Sequence, residues 1–143
     1  MENLNQCEIK YGYENMDFTK ATKMLSKAFW SIDIKIDEVK KGASNSTLIV
    51  GAFLNNEQIG YARVISDKTR FAYILDVYVD ENYRKKGIGQ LMINNILKNK
   101  DLKDVYQWLL ITKDAQGVYS KSGFKQLSRP NDWMEIRKER PKR

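Results

Sequence analysis

Histidine is absent from the chain. Any general acid or base must therefore be a carboxylate, a tyrosine, a lysine, a cysteine or a relayed water. A Ser-His-Asp arrangement and histidine-ligated metal sites are excluded with it. Cysteine is nearly absent too, since Cys7 stands alone. No intrachain disulfide can form, and with no histidine to join that thiol no zinc or other metal site is expected. This usage fits a reducing compartment, so a cytoplasmic location is the expectation. The two prolines, Pro130 and Pro141, lie near the C-terminus, and neither linkers nor repeats divide the 143 residues. One domain over 1–143 is expected, with a basic tail from about 137 to 143. Long apolar runs are missing. Stretches such as Leu48 to Leu54 fall far short of the ~20 residues that a membrane span needs. Met1 to Lys10 lacks the basic-then-apolar order of a signal peptide. No membrane partner is expected.

What is present describes an ordinary folded chain, with 42% apolar and 30% charged residues. The formal charge is +7, and Arg137 to Arg143 alone carries five Lys or Arg residues. One reading is solubility and a solvated tail. The other is an anionic partner, either nucleic acid or a polyphosphate cofactor, and charge alone does not choose.

Strand and helix patterns alternate along the chain. Cys7 to Tyr13 reads as a first strand. Asp17 offers an N-cap to a helix whose apolar face is Phe18, Ala21, Leu25, Ala28 and Phe29. A short helix is expected over Asp37 to Ala43. Thr47 to Leu54 and Gln58 to Ser66 read as a hairpin across Asn55-Asn56, residues that tolerate positive φ. Phe71 to Val79 is a third strong strand. A helix follows from about Gly87 to Lys98, with Ile88, Leu91, Met92 and Ile96 on one face. Tyr106 to Thr112 is a further strand and Ala115 to Lys121 a short helix. Phe124 to Leu127 and Trp133 to Arg137 read as a closing pair of strands. Short turns between the middle strands imply an α/β fold of the α+β kind, with helices packed on a mixed sheet.

The segment with most chemistry runs from Ile74 to Gly89. It leaves a strand, crosses the basic run Arg84-Lys85-Lys86, and enters a helix whose first turn holds Gly87 and Gly89. Bare glycine backbone lets a ligand approach the N–H groups closely. The first N–H groups of a helix have no internal partners, and the helix dipole adds positive charge there. Such an end binds phosphate. Arg84 adds a fork suited to a bidentate contact. A dinucleotide-binding G-x-G-x-x-G would need glycine where Met92 stands, and a P-loop would need Gly-Lys-Ser/Thr, which does not occur. A charged turn before an ordinary helix is the plainer alternative.

Arg84-x-x-Gly87-x-Gly89, entered from Asp76-Val-Tyr-Val79, resembles the coenzyme A signature of the GNAT N-acetyltransferase superfamily. Downstream, Ala115-Gln-Gly-Val-Tyr119-Ser-Lys-Ser-Gly123-Phe124 resembles that superfamily's second signature. The element order is similar over nearly the whole chain. The resemblance implies a mostly antiparallel mixed sheet, splayed where the pantetheine arm of acetyl-coenzyme A lies like an added strand. It implies that the backbones of Val77 and Val79 pair with the pantetheine amides. The N–H groups of Arg84, Lys85, Lys86, Gly87, Ile88 and Gly89 would hold the pyrophosphate. It also implies that Tyr119 protonates the departing thiolate, against the alternative of a helix tyrosine packed on the sheet. Many relatives carry asparagine seven residues before this tyrosine, touching the cofactor; here Thr112 holds that place.

Asp76 interrupts an apolar strand, where aspartate is disfavoured. By alternation it shares a face with Ile74 and Tyr78, unless a bulge re-aims it. It is either a carboxylate that attracts and deprotonates an amine or a structural group held by backbone N–H or by an arginine such as Arg63. Trp30, Tyr61, Tyr78, Trp108 and Trp133 either line an acceptor cleft or fill the core. The leading reading is acetyl transfer from acetyl-coenzyme A to a primary amine of a small molecule or peptide. A non-catalytic acyl-coenzyme A binding module is the alternative, against which Tyr119 argues. Nucleic-acid binding is not expected, because the basic tail lacks interleaved aromatics after Trp133. Acceptor identity, acyl-chain preference and oligomeric state are not readable, a homodimer being one option.

Overall fold

The structure, a computed structural model, describes residues 6–143. Five strands, β1 (Glu8–Tyr11), β2 (Leu48–Leu54), β3 (Glu57–Ser66), β4 (Phe71–Val79) and β5 (Gln107–Leu109), form one sheet in chain order. β1 to β4 are antiparallel neighbours, while β5 lies parallel to β4 at the edge. Four helices flank it: α1 (Phe18–Leu25), α2 (Ile36–Ser44), α3 (Ile88–Leu97) and α4 (Gln116–Ser120). This is the mixed, mostly antiparallel sheet with packed helices that the sequence implied. Among the described residues no helix is long and apolar enough to cross a membrane.

Local chemistry accounts for the boundaries. Asp17 caps α1, its side chain accepting from the Lys20 N–H at 3.1 Å. Asn55 and Asn56 take φ of 52° and 65°, as a tight hairpin turn between β2 and β3 requires. Alternation along β2 and β3 then divides the side chains between two cores. Val50, Ala52, Ala62 and Val64 meet Ile88, Met92, Ile93 and Ile96 of α3. Ile49, Phe53 and Tyr61 meet Phe18, Ala21, Met24 and Leu25 of α1 and Val39 and Ala43 of α2. Met92, Ile93 and Ile96 are fully buried, and each such side chain stabilises by about 1.5–3 kcal/mol.

Several expectations are corrected. β1 stops at Tyr11 because Gly12, at φ 92°, turns the chain away. α1 ends at Leu25, so Phe29 lies beyond it, 48% exposed rather than on the buried face. On α3, Leu91 faces outward and Ile93 takes the buried place expected for it. β5 keeps only three of the residues from Tyr106 to Thr112. Phe124 to Leu127 and Trp133 to Arg137 form no strands. Met134 and Ile136 are 96% and 94% exposed. A suitable pattern makes a strand only where another strand is at hand to pair with it, and β5 offers just three residues of edge.

Candidate active site

The site is organised by a break in β4. Tyr61 faces Tyr78 across the β3–β4 ladder, yet Arg63 faces Leu75, so Ala62 opposes both Asp76 and Val77. This is a bulge, and Asp76 adopts φ 55° within it. Aspartate tolerates that left-handed conformation better than a branched apolar residue does. The extra residue reverses the phase of the strand. Ile74 packs in the α3-side core and Tyr78 in the α1–α2-side core. The expectation that Asp76 shares a face with both therefore fails, and the bulge is the reason.

The Asp76 side chain turns toward α1 and α2. Its Oδ1 accepts from Trp30 Nε1 at 3.0 Å and its Oδ2 from Arg63 Nε at 2.7 Å. Arg63 also donates to Ser46 Oγ at 3.3 Å and to the Gly42 carbonyl at 3.4 Å. Both members of the ion pair are largely covered, at 15% and 17% exposure. The arginine partner is the one expected if Asp76 is structural.

Below the bulge the sheet edge is open. β5 pairs with β4 only from Phe71 to Tyr73, the last partner being Leu109. The Asp80 N–H donates to Ile59 O at 2.8 Å, toward β3. Backbone groups alternate sides along a strand, so those of Val77 and Val79 face the opposite, unpaired edge. There the Val79 carbonyl accepts from Arg84 Nε at 2.9 Å, and the guanidinium sits 4.8 Å over the Tyr78 ring. Arg84 thus lies back along the strand rather than across the loop.

The chain then turns into α3. Lys85 takes φ 63° and Gly87 φ 84°. Gly87 is the N-cap, and no side chain caps it. The N–H groups of Ile88, Gly89 and Gln90 accordingly have no helical partner, and the first bond runs from Leu91 N to Gly87 O at 3.0 Å. A Cβ at Gly87 would touch nothing, so the demand there is conformational. A Cβ on Gly89 would meet only Val79 Cγ2, at 3.8 Å, which leaves room beside the open edge. Lys85 and Lys86 are exposed at its rim.

The turn that follows α4 is bound to α3 by polar contacts. Gln90 Nε2 donates to Ser122 Oγ, which donates to Asn94 Oδ1 at 2.9 Å. Tyr119 packs edge-on against Phe124, with centroids 6.1 Å apart, and against the α3-side core. Burial, and next the nearby Asp114 charge, push the Tyr119 phenol above its ordinary pKa. Nothing among the described residues hydrogen-bonds its hydroxyl. Thr112 Oγ1 accepts from the Ala115 N–H at 3.0 Å, so its oxygen serves the start of α4.

The structure therefore groups Val77, Val79 and the Arg84 to Gly89 loop along one open edge, with Tyr119 on the same side of the sheet. Asp76 hangs from the other side. Of the aromatic candidates, Tyr61 is wholly buried, Tyr78 nearly so, and Trp108 packs on the α3-side core. Trp133 lines a cleft of about 350 Å³ with Asp67, Arg70 and Tyr106, at the paired end of β4. Trp30 alone of the five bonds to a candidate site residue. Sequence reasoning missed the Gln90–Ser122–Asn94 tie, whose only signal was polar residues on a helix face beside an apolar one.

Comparison with known proteins agrees with this fold. The acetyltransferase (GNAT) domain family matches residues 45–126. A relative from Pyropia yezoensis, called an uncharacterized N-acetyltransferase, is 22% identical over 116 residues. That match takes in 78% of this chain, which spans only 66% of the relative's length. A crystal structure from Xanthomonas campestris pv. campestris, assigned to the GNAT family, superposes with TM-score 0.83 at 28% identity. It covers 91% of this chain and 93% of its own. A Clostridium acetobutylicum protein solved with acetyl-CoA has TM-score 0.70 at 18% identity, covering 92% and 96%. It shares the fold.

Proposed function

The chain belongs to the GNAT acetyltransferase family, and from that premise we propose that it transfers the acetyl group of acetyl-coenzyme A to a primary amine of a small molecule or peptide. One observation carries the reading: β4 parts from β5 after Tyr73 and runs on to Val79 with that edge open, ahead of a basic loop and an uncapped helix end. An open strand edge suits a linear chain of amides, and a helix N-terminus with bare glycines suits a diphosphate. The residues present fit acetyl-coenzyme A, with Val77 and Val79 toward its pantetheine and Lys85 to Gly89 toward its pyrophosphate. Arg84 acts first on Val79 and Tyr78, and must release the Val79 carbonyl if pantetheine is to take it. Thr112 retains its hydroxyl proton as a donor. The region from 1 to 143 is taken to work as one catalytic domain.

Acetyl-coenzyme A supplies an activated acyl group. The acceptor nitrogen forms a C–N bond to the acyl carbon as the C–S bond breaks, and the nitrogen loses a proton while the sulfur gains one. An amine with pKa about 10.4 costs about 4.6 kcal/mol to deprotonate at pH 7, some 3.4 units at 1.36 each. Asp76, held by Trp30 and Arg63, shapes the bulge, and the lone pairs those bonds leave free take the amine's proton through water. Tyr119 stays protonated at neutral pH and delivers its proton to the sulfur. A backbone N–H near Val77 steadies charge developing on the acyl oxygen, a contribution typically of about 2.7–4 kcal/mol.

The test is release of free thiol from acetyl-coenzyme A across a panel of amines, with cofactor binding titrated separately. Amine-dependent release is expected. Saturable binding without release from any amine would leave an acyl-coenzyme A binding module instead.

A further inference from the structure

The basic C-terminal residues are docked rather than trailing. Arg143 makes two bonds to the Glu38 carboxylate, Nε to Oε1 at 3.1 Å and Nη2 to Oε2 at 2.7 Å. Its side chain is only 13% exposed. Three residues earlier, Arg140 Nη1 donates to the Phe29 carbonyl at 2.9 Å. The chain end therefore crosses the α1–α2 connection and is fixed at two points. From the β5–α4 connection, Lys113 Nζ sits 5.3 Å from the centre of the Phe29 ring. That ring meets Trp30 edge-on at 5.1 Å, and the Trp30 indole N–H bonds Asp76 at the bulge.

Two cations from distant parts of the chain thus meet at Phe29, Lys113 at its half-exposed ring and Arg140 at its carbonyl, a single residue from the tryptophan that reaches the bulge. Neither Lys113 nor Arg140 has a carboxylate partner among the described residues. Arg140 spends one of its five N–H groups on Phe29, which leaves four directed elsewhere. Asp76 and Glu38 are already matched, by Arg63 and Arg143 respectively. A polyamine arriving here would bring a second ammonium against two uncompensated cations. An amine bearing a carboxylate a few bonds from its nitrogen would find both an ionic partner and a bidentate fork.

Resting on the acetyltransferase reading, we propose that Lys113 and the docked Arg140 form a cationic rim that selects acceptors carrying a carboxylate beside the reactive amine. The Arg143–Glu38 pair is the clasp that keeps Arg140 in position. Neither rim residue touches the reacting atoms; both set acceptor specificity.

The test uses the full chain and acceptor pairs that share an amine but differ in the carboxylate: an α-amino acid against its primary amide, and lysine against cadaverine. The carboxylate-bearing member should be preferred in kcat/KM by about tenfold or more, the scale of one charged hydrogen bond. Arg140→Ala and Lys113→Ala should each erode that preference, mainly by raising KM for the carboxylate form, with acetyl-coenzyme A affinity unchanged. Arg143→Glu should do the same, and adding Glu38→Arg should restore the preference by rebuilding the clasp with reversed charge. Amides and diamines that match or beat their carboxylate partners overturn the inference. So does a preference that survives the Lys113→Ala/Arg140→Ala double substitution. If no acceptor at all supports thiol release, the acetyltransferase reading falls, and this inference falls with it.

Discussion

The two faces of the sheet offer different materials to the proposed site. On the α3 face the available groups are mostly backbone: an edge at Val77 and Val79 with no strand beside it, and N–H groups from Ile88 to Gln90 with no helical partner. On the α1–α2 face they are side chains: Trp30, Asp76, Arg63, Lys113 and Arg140. Backbone sites are indifferent to most substitutions that keep φ and ψ, whereas a side-chain site is rewritten by single changes. The contrast suits a face that meets a constant ligand and a face that meets a variable one.

Substitutions that touch one face only can break this contrast. The largest effect should come from Tyr119→Phe, which removes the proposed proton donor and nothing from the edge or the loop. Its kcat should fall by roughly 10²–10⁴-fold, as for loss of a general acid. Acetyl-coenzyme A affinity, followed by calorimetry, should stay within a few-fold. A matching loss of affinity would show that the tyrosine holds the cofactor instead. Next is Arg63→Ala on the other face, which leaves Asp76 largely covered and uncompensated. We expect about 3 kcal/mol of lost stability in urea unfolding, the lower end for breaking a buried ion pair. Asp76→Asn should cost less, because it keeps the Trp30 bond and leaves Arg63 the Ser46 and Gly42 oxygens. Smaller again is Gly87→Val. A branched residue at φ 84° is strained by about 1–2 kcal/mol, so the loop should shift and acetyl-coenzyme A bind about tenfold more weakly. Circular dichroism should show the fold retained.

The same contrast explains what was legible in the sequence. The loop from Arg84 to Gly89 is contiguous, and its glycines announce a backbone conformation, so it could be read directly. Asp76 was visible as an aspartate out of place in a strand, and Arg63 as a partner for it. The reversal of phase at the bulge was not visible, because alternation carries no mark of where a residue is inserted. The docked tail was hidden for a related reason. Trp133 to Arg137 has the pattern of a strand, but a pattern cannot supply the neighbour it must pair with. The contacts that fix the tail join Arg140 to Phe29 and Arg143 to Glu38, across more than a hundred residues. No local signal reports a contact at that separation.

The finest test of the side-chain face is the clasp itself, and pH provides it. The hydrogen bond from the Arg143 guanidinium holds the Glu38 carboxyl below the ordinary glutamate value; burial opposes it, and the Arg143 charge adds a smaller lowering. A carboxylate depressed in the folded state contributes fully above its unfolded pKa, near 4.3. That contribution is lost as pH falls through the lower folded value. The tail should therefore stay docked at neutral and mildly acidic pH and detach only once pH has fallen below the ordinary glutamate range. Glu38 is half exposed, so solvent screens the pair and global unfolding should barely register the change. The Arg143 Nε–H resonance in NMR should register it, moving to its free position along the Glu38 titration. Release already at pH 6 would mean that the carboxylate does not hold the tail. Persistence at pH 2 would mean that Arg140 and the Phe29 carbonyl hold it without Glu38.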